Sequence, residues 1–471
     1  GMVSEVLPGT FSVPVTTFYG LDGARTYSGL VFCPHVNGEY GVVHQAEEIR
    51  KAMGIYADFY SGSQPKLSRM GAWTSTKKIV ARKFKNNQIP LLVCTKAFGM
   101  GIDKPNIRYT VHFGIPPSIE AFYQEAGRAG RDRHTAHCCI IVSDDDPQRT
   151  RKLLDPNTKA EEIAMAIDSL NWQDNDDITR ALYFQSKAFP GVETEKSRVL
   201  DVIKKLGEVS TKRDCKIAYP KDERAVHEKA LHRLLLLGIV SDYTINYSTS
   251  EFTVRLSGIT KQQMVESYGI YVAGYIGSRK QVELDKAQKL LGLPINDFIT
   301  QILDLLLRFI YDIIEKGRRR ALQEMLLAAT VSQNDAAIRQ RILRYLEATE
   351  YSEILDAIIH ESEAGISKTI NTFENVRSPN DASELRGQVS RYLESYPDHP
   401  GLLMLRALSE AYTRDHNYTL VQQNLYASLT SCIENYGVDK NRMYLFAAWA
   451  VSHIARRESQ HVDHLLETLL N

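Results

Sequence analysis

The stretch 91-LLVCTKAFGMGIDKP-105, followed by 123-YQEAGRAGRD-132, decides the interpretation of this 471-residue chain. The apolar run at its start is typical of a buried strand, and the glycines after it are typical of a tight loop. A second apolar run, Tyr109–Phe113, and a helical pattern beginning at Ser118 lie between the two segments. The order strand, glycine-rich loop, strand and arginine-bearing helix therefore occurs within about 40 residues.

Strand and helix signals continue to alternate on both sides of this stretch. Further strands are expected at Tyr27–Cys33, Ile55–Tyr60 and Ala136–Val142, and helices at Val42–Met53 and Lys66–Asn87. Strands that alternate with helices favour a parallel sheet covered on both faces. We predict an α/β domain over residues 1–147, ending at an acidic triplet and Pro147.

The arginines of the second segment indicate an anion site. Gln124 and Arg128 stand four residues apart and Arg131 follows three later, so a continuous helix would place all three on one face. Guanidinium groups suit phosphate because each donates two parallel hydrogen bonds and stays charged. The alternative interpretation is a glycine-containing helix with ordinary surface arginines.

The segments 97-AFGMGIDKP-105 and 124-QEAGRAGRD-132 resemble motifs V and VI of superfamily 2 helicases, in detail those of the RecQ family of DNA helicases. The segment 29-GLVFCP-34 resembles motif IV of that family. The resemblance implies that residues 1–147 form the second of two RecA-like domains. Such domains close around ATP and couple its hydrolysis to translocation on DNA and to unwinding.

The resemblance also implies roles at the nucleotide. Arg131 would be the arginine finger, Arg128 its neighbour at the γ-phosphate, and Gln124 would place the nucleotide or the attacking water. Asp103 and Gly101 would take part in nucleotide binding, with Asp103 coupling the nucleotide state to the DNA loop.

On the DNA side, the matching positions lie in the loop after the strand at 91–94. Thr95, Lys96, Gly99 and Met100 would contact the phosphates of single-stranded DNA or of a junction between single and double strands. The match to the RecQ-type sequence favours DNA over RNA as the nucleic acid.

The middle of the chain predicts smaller modules. Residues 148–192 are expected to form a helical linker without zinc, because the six cysteines of the chain form no C-x2-C pair. Residues 193–258 combine helices with a β-hairpin and resemble a winged helix, in which Arg224 and Lys229 are candidate DNA contacts. The alternative is a small α+β module that binds only protein.

Helical spacing dominates from residue 259 onward. We expect a helical segment at 259–330 and an α-helical array at 331–471, tetratricopeptide-like or HEAT-like, that holds a protein partner. A weak internal repeat supports the array, since the sequence RYLE at 344–347 recurs at 391–394.

The chain departs from a complete motor. It contains neither G-x-x-x-x-G-K-[ST] nor D-E-x-H, so ATP and Mg²⁺ would be bound mainly by a first RecA-like domain. We therefore expect the chain alone to be inactive, either as the C-terminal portion of a longer helicase or as a chain that a partner completes. The alternative function is a non-catalytic nucleic-acid-binding or scaffold subunit that keeps the fold.

The charge balance and hydropathy of the chain limit its expected binding partners and location. Lys+Arg and Asp+Glu are both 57, which excludes a uniformly basic nucleic-acid-binding surface but leaves room for a local basic region. One such cluster, on the predicted helix at 66–87, is read as a solvated face with DNA contact as the alternative: Lys77, Lys78, Arg82, Lys83 and Lys85. No run approaches the roughly 18 apolar residues of a membrane helix, so no membrane partner is expected and the predicted location is the cytoplasm, on bacterial-type nucleoid DNA.

Overall fold

The computed structural model describes residues 2–66, 73–98, 103–171, 175–330, 334–346 and 351–456. The chain divides into two compact units. The first comprises Gly1–Pro147, Asn175–Ala181 and Glu324–Ser332, and the second comprises Gln148–Asp174, Leu182–Gln323 and Gln333–Asn471.

The first unit is built on a parallel sheet. Its elements, in chain order, are α1 (Leu7–Thr10), α2 (Val15–Phe18), β1 (Ser28–Phe32), α3 (Val42–Met53), β2 (Ala57–Tyr60), α4 (Trp73–Lys85), β3 (Leu91–Cys94), β4 (Ile107–Phe113), α5 (Ile119–Ala126) and β5 (His137–Ile141). The strands lie in the order β2-β3-β1-β4-β5, and every neighbouring pair is parallel. The predicted parallel α/β domain is confirmed.

Both faces of the central strands β1 and β3 are buried, which explains why these strands read as continuous apolar runs rather than alternating ones. Successive residues of β1 point to opposite faces. Leu30 lies in a cluster with Phe84 of α4, and Val31 lies in a second cluster with Val42 of α3. The loops that follow β3 and α5 are thus attached to a sheet that packs against α4 on one face and α3 on the other.

The central pairing of β1 with β4 depends on a glycine. The ring of Tyr109 on β4 lies over Gly29 on β1, and a Cβ at Gly29 would be 1.8 Å from that ring. Tyr109 is fully buried and stacks on Phe18 with ring centroids 5.5 Å apart. A side chain at position 29 would therefore displace a large core residue.

The second unit contains a three-stranded antiparallel sheet with helices before it and between its strands. The elements from Pro147 to the end of this sheet, of which α8 begins in the first unit, are α6 (Pro147–Leu154), α7 (Ala160–Asp168), α8 (Asp177–Ala188), α9 (Val192–Leu206), β6 (Arg213–Ala218), α10 (Arg224–Leu236), β7 (Val240–Asn246) and β8 (Glu251–Leu256). The strands lie in the order β6-β8-β7. The strand β6 has no counterpart in the sequence prediction, because Ile217 is its one buried residue and its apolar signal is correspondingly weak.

Every described element from Lys261 onward is helical. The α-helices among them are α11 (Lys261–Tyr275), α12 (Lys280–Gln288), α13 (Ile295–Ile310), α14 (Lys316–Thr330), α15 (Asp335–Leu346), α16 (Tyr351–Ile359), α17 (Ile366–Glu374), α18 (Pro379–Ser395), α19 (Pro400–Tyr412), α20 (Tyr418–Glu434) and α21 (Lys440–Ala455). The second copy of the RYLE repeat lies on α18, and residues 344–346 of the first copy lie at the end of α15, while Glu347 is outside the described residues. Arg391 of α18 donates a 3.1 Å hydrogen bond to the carbonyl of Leu346 on α15. Within the described ranges, no helix is both long and apolar enough to cross a membrane.

We predict that Gly29→Ala lowers the free energy of unfolding by about 1–3 kcal/mol, because the added methyl group overlaps the Tyr109 ring. A urea titration followed by circular dichroism would measure the change. Gly9→Ala is the matched control in the same unit, since a Cβ at Gly9 meets nothing within 4 Å. Equal unfolding midpoints for the two variants would contradict the packing argument.

Candidate functional site

Two loops of the first unit meet beside the beginning of β4. One loop precedes β4 and carries Asp103; the other follows α5 and carries Arg131. Arg131 Nη1 lies 3.1 Å from Asp103 Oδ1. The two side chains are 39% and 83% exposed, so water screens their attraction and the pair can separate at little cost.

The arginines do not share a helix face, which corrects the sequence prediction. Helix α5 ends at Ala126, and the next residues form turns in which Gly127 N–H donates to the Tyr123 carbonyl at 2.8 Å. Gly130 has φ +69° and donates its N–H to the Ile107 carbonyl of β4 at 2.9 Å. After the helix, this left-handed glycine and its bond to the strand direct the chain along the beginning of β4.

Arg128 and Arg131 are nevertheless brought near each other by this loop. Arg128 is partly buried, and burial lowers the pKa of its guanidinium, with the positive charge of Arg131 lowering it further. Arginine stays protonated despite such shifts. Two neighbouring cations that repel each other form a favourable environment for a phosphate anion. Gln124 lies exposed on α5.

An ion pair that the sequence analysis missed fixes the arginine loop to the sheet. Arg108 Nη1 and Nη2 lie 2.9 Å and 2.5 Å from the two carboxylate oxygens of Asp132. The hydrogen bonds from Arg108 lower the pKa of Asp132 to about 2. Arg108 and Asp132 are 24 positions apart, so no periodic pattern in the sequence predicts that they pair. The one available signal was that Asp132 directly follows Arg131 in the decisive motif.

The loop before β4 has its own anchor in Lys104. This side chain is 2% exposed, lies 5.1 Å from the centre of the Phe84 ring and donates to Asn87 Oδ1. Burial lowers the pKa of Lys104 to about 8. The neighbouring Asn106 donates to the same Asn87 oxygen at 2.8 Å. The end of the loop that carries Asp103 is therefore tied to the core.

The other end of that loop leaves β3 at Thr95 and Lys96. Thr95 is buried, and its N–H donates to the Tyr60 carbonyl at 3.1 Å. Lys96 is exposed. The three remaining predicted residues, Gly99, Met100 and Gly101, lie outside the described residues.

The two candidate DNA contacts of the second unit differ in their surroundings. Arg224 is 42% exposed and lies 5.7 Å from the centre of the Tyr247 ring. Lys229 instead pairs with the buried Glu195 at 2.6 Å, and Arg233 pairs with the same carboxylate at 2.8 Å. Burial lowers the pKa of Lys229. The structure thus gives Lys229 an internal partner, and its contact with DNA stays a prediction.

We searched the described part of the chain for side chains that could bind a metal ion. No group of three or more His, Cys, Asp or Glu side chains there is placed to hold a metal ion.

We predict that Asp132→Asn destabilises the first unit by about 1–3 kcal/mol near neutral pH, because it removes a charged, doubly hydrogen-bonded partner of Arg108. The carboxylate has a folded-state pKa of about 2 against an ordinary value of 3.8. Its contribution is complete above the ordinary value and is lost as the pH falls towards about 2. Thermal unfolding from pH 7 to pH 3 should show the wild type and the variant converging, and a constant difference would contradict the assignment.

Part of the first unit is similar to known proteins. Residues 16–133 match the family described as "Helicase conserved C-terminal domain". The chain is 36% identical over 140 residues to a probable ATP-dependent DNA helicase RecS of Bacillus subtilis, covering 30% of this chain and 26% of that protein. It is 37% identical over 132 residues to the ATP-dependent DNA helicase RecQ of Pasteurella multocida, covering 28% and 19%.

The RecQ-like DNA helicase BLM of Xenopus laevis is 46% identical over 85 residues, which cover 18% of this chain and 6% of that protein. These matches span about a quarter or less of each relative. They confirm the resemblance predicted from the two motifs. Residues 16–133 are therefore similar to the helicase conserved C-terminal domain, and the relatives that they match are RecQ-like DNA helicases.

Proposed function

We propose that this chain supplies the second RecA-like domain of a RecQ-like, ATP-dependent DNA helicase that couples ATP hydrolysis to translocation and unwinding. The observation that carries the proposal is the placement of Arg131 beside Arg128 on a loop bonded to β4, with exposed Asp103 as its ion-pair partner. The similarity of residues 16–133 to RecQ-like helicases supports the same conclusion.

At the nucleotide, Arg131 acts as the arginine finger. Negative charge on the γ-phosphoryl oxygens grows during phosphoryl transfer, and a guanidinium held there stabilises it. Arg131 leaves Asp103 to reach the phosphate, since the exposed pair is weak, and Arg128 binds beside it. Release of Asp103 thereby couples nucleotide binding to the loop that begins at Lys96. Gln124 orients the nucleotide or the attacking water.

The hydrolytic centre needs parts beyond those described. A P-loop is required to hold the other phosphates and Mg²⁺, and this sequence contains none. In our proposal a first RecA-like domain, on another segment or another chain, supplies it. Mg²⁺ would neutralise charge on the phosphates, while Arg128 and Arg131 bind the γ-phosphate from this side.

On the DNA side, the loop that leaves β3 contacts the phosphate backbone. Lys96 supplies the charge, and the proposed hydrogen-bond donors are the hydroxyl of Thr95, whose N–H is already bonded to Tyr60, and residues 99–101. The arrangement α9, β6, α10 and the hairpin β7–β8 supports a winged-helix module, with Arg224 on α10 as its candidate DNA contact. The helices from α15 to α21 are the proposed site of a protein partner.

We predict that Arg131→Ala lowers ATP turnover by about 10³–10⁵-fold in the assembly that contains the P-loop domain, because the γ-phosphate loses its arginine finger. Binding of single-stranded DNA should stay within about twofold of the wild type, since removing one exposed charge outside the DNA loop changes few phosphate contacts. Phosphate release and fluorescence anisotropy measure the two quantities.

The matched control is Arg133→Asn, two residues along the same exposed loop. Arg133 has φ +65°, a conformation that asparagine tolerates. This variant should keep wild-type turnover. Unchanged turnover in Arg131→Ala would refute the finger assignment and favour the alternative of a non-catalytic nucleic-acid-binding or scaffold subunit.

We predict that the 471-residue chain alone binds single-stranded DNA weakly, with an affinity that falls as salt rises, because phosphate contacts release bound counterions. Lys96→Gln should reduce the slope of log K against log [salt] by about 0.7, the value for one phosphate on a single strand. Anisotropy titrations between about 50 and 200 mM salt would measure the slope. An affinity that does not depend on salt would exclude a phosphate-binding groove.

A further inference from the structure

The exposed face of α4 is strongly basic. Lys78, Arg82 and Lys85 stand four and three residues apart, so they follow one face of the helix, and all three are exposed. Val80 and Phe84 lie on the opposite face, buried against the sheet. Within the described ranges, none of the three cations has a hydrogen-bond or ion-pair partner. We call these three residues the α4 basic face.

The charge of this region stands out in a chain whose net charge is zero. Residues 59–102 contain eight lysines and arginines and no aspartate or glutamate. Cations in the last turn of a helix interact favourably with its dipole, which accounts for Arg82 and Lys85. Lys78 lies in the middle of α4, and its repulsion from Arg82 destabilises the helix by about 0.2–0.5 kcal/mol. A partner that supplies negative charge would offset that repulsion.

The basic face adjoins the loop proposed to bind DNA. Phe84 of α4 packs against Phe98 of that loop, with ring centroids 5.8 Å apart. Lys77, one residue before the basic face, lies 3.5 Å from the carbonyl oxygen of Gly62, and a Cβ at Gly62 would be 2.9 Å from the Cβ of Ala97. The positive charge therefore continues from Lys96 through Lys77 to the α4 basic face.

The chemistry of the face favours phosphates over bases. Both aromatic residues of α4, Trp73 and Phe84, are buried, so the exposed side offers cations and no stacking surface of its own. Proteins that hold single strands combine basic grooves with aromatic stacking. Lys78 to Lys85 spans about 10 Å along the helix axis, over which one strand of B-DNA presents about three phosphates.

We propose that the α4 basic face binds the phosphate backbone of duplex DNA, next to the loop that takes the single strand. The inference rests on the proposed function, because it assigns a second surface to the same DNA. It places duplex DNA beside the loop after β3, which we propose binds the single strand. Contacts from α4 to the phosphates would not depend on the base sequence.

The test is the salt dependence of duplex binding by the full chain. The triple variant Lys78→Gln, Arg82→Gln, Lys85→Gln should reduce the slope of log K against log [salt] by about 2.7 for a 30-base-pair duplex, and by less for a single strand of equal length. The matched control, Lys289→Gln, Arg414→Gln, Lys440→Gln, removes the same residue types at exposed positions of the second unit and should keep the wild-type slope. Circular dichroism confirms that both variants are folded.

The outcomes separate the two proposals. An α4 variant with the wild-type duplex slope overturns this inference, while Arg131→Ala still tests the helicase proposal by itself. Absence of any salt-dependent DNA binding by the wild type overturns both. Binding of polyglutamate or of phosphatidylserine vesicles that depends on α4, without an α4-dependent duplex slope, would assign the face to an acidic protein or a membrane surface and would also overturn the inference.

Discussion

The bidentate ion pair between Arg108 and Asp132 is the interaction on which the candidate site depends. It joins the loop after α5 to β4, and the hydrogen bond from Gly130 to Ile107 makes a second connection nearby. β4 itself lies between β1 and β5 in the parallel sheet, and five of its seven residues are buried. Arg131 is therefore one residue away from a rigid attachment point, and its backbone is oriented before any ligand arrives.

The pair formed by Arg131 and Asp103 has the opposite character. Both groups are exposed to water, so their attraction is weak, whereas the Arg108–Asp132 pair is shielded and hydrogen-bonded at both oxygens. A fixed backbone with a side chain that can leave its ion pair suits the role that we propose for Arg131 at the γ-phosphate. Lys104 anchors the neighbouring loop as the Arg108–Asp132 pair anchors the loop after α5. Its side chain is buried, so the backbone next to Asp103 is held in place.

The sequence predicted those features that local pattern encodes. Helix α3 and strand β3 were predicted with the bounds that the structure has, because amphipathic spacing in the first and a short apolar run in the second are unambiguous. The prediction that Gln124, Arg128 and Arg131 share one helix face was wrong, because α5 ends at Ala126 and Gly130 bonds to a carbonyl of β4 that is distant in sequence. The Arg108–Asp132 pair and the internal partner of Lys229 were missed for the same reason: each joins residues far apart along the chain.

The most direct measurement is the structure of this chain bound to its P-loop-bearing domain, a non-hydrolysable ATP analogue and Mg²⁺. We predict that a guanidinium nitrogen of Arg131 lies about 2.7–2.9 Å from a γ-phosphate oxygen, a charge-assisted hydrogen bond, and that the 3.1 Å contact with Asp103 is broken. A bound nucleotide with Arg131 still paired to Asp103, and no arginine of the 128–131 loop on the γ-phosphate, would contradict it.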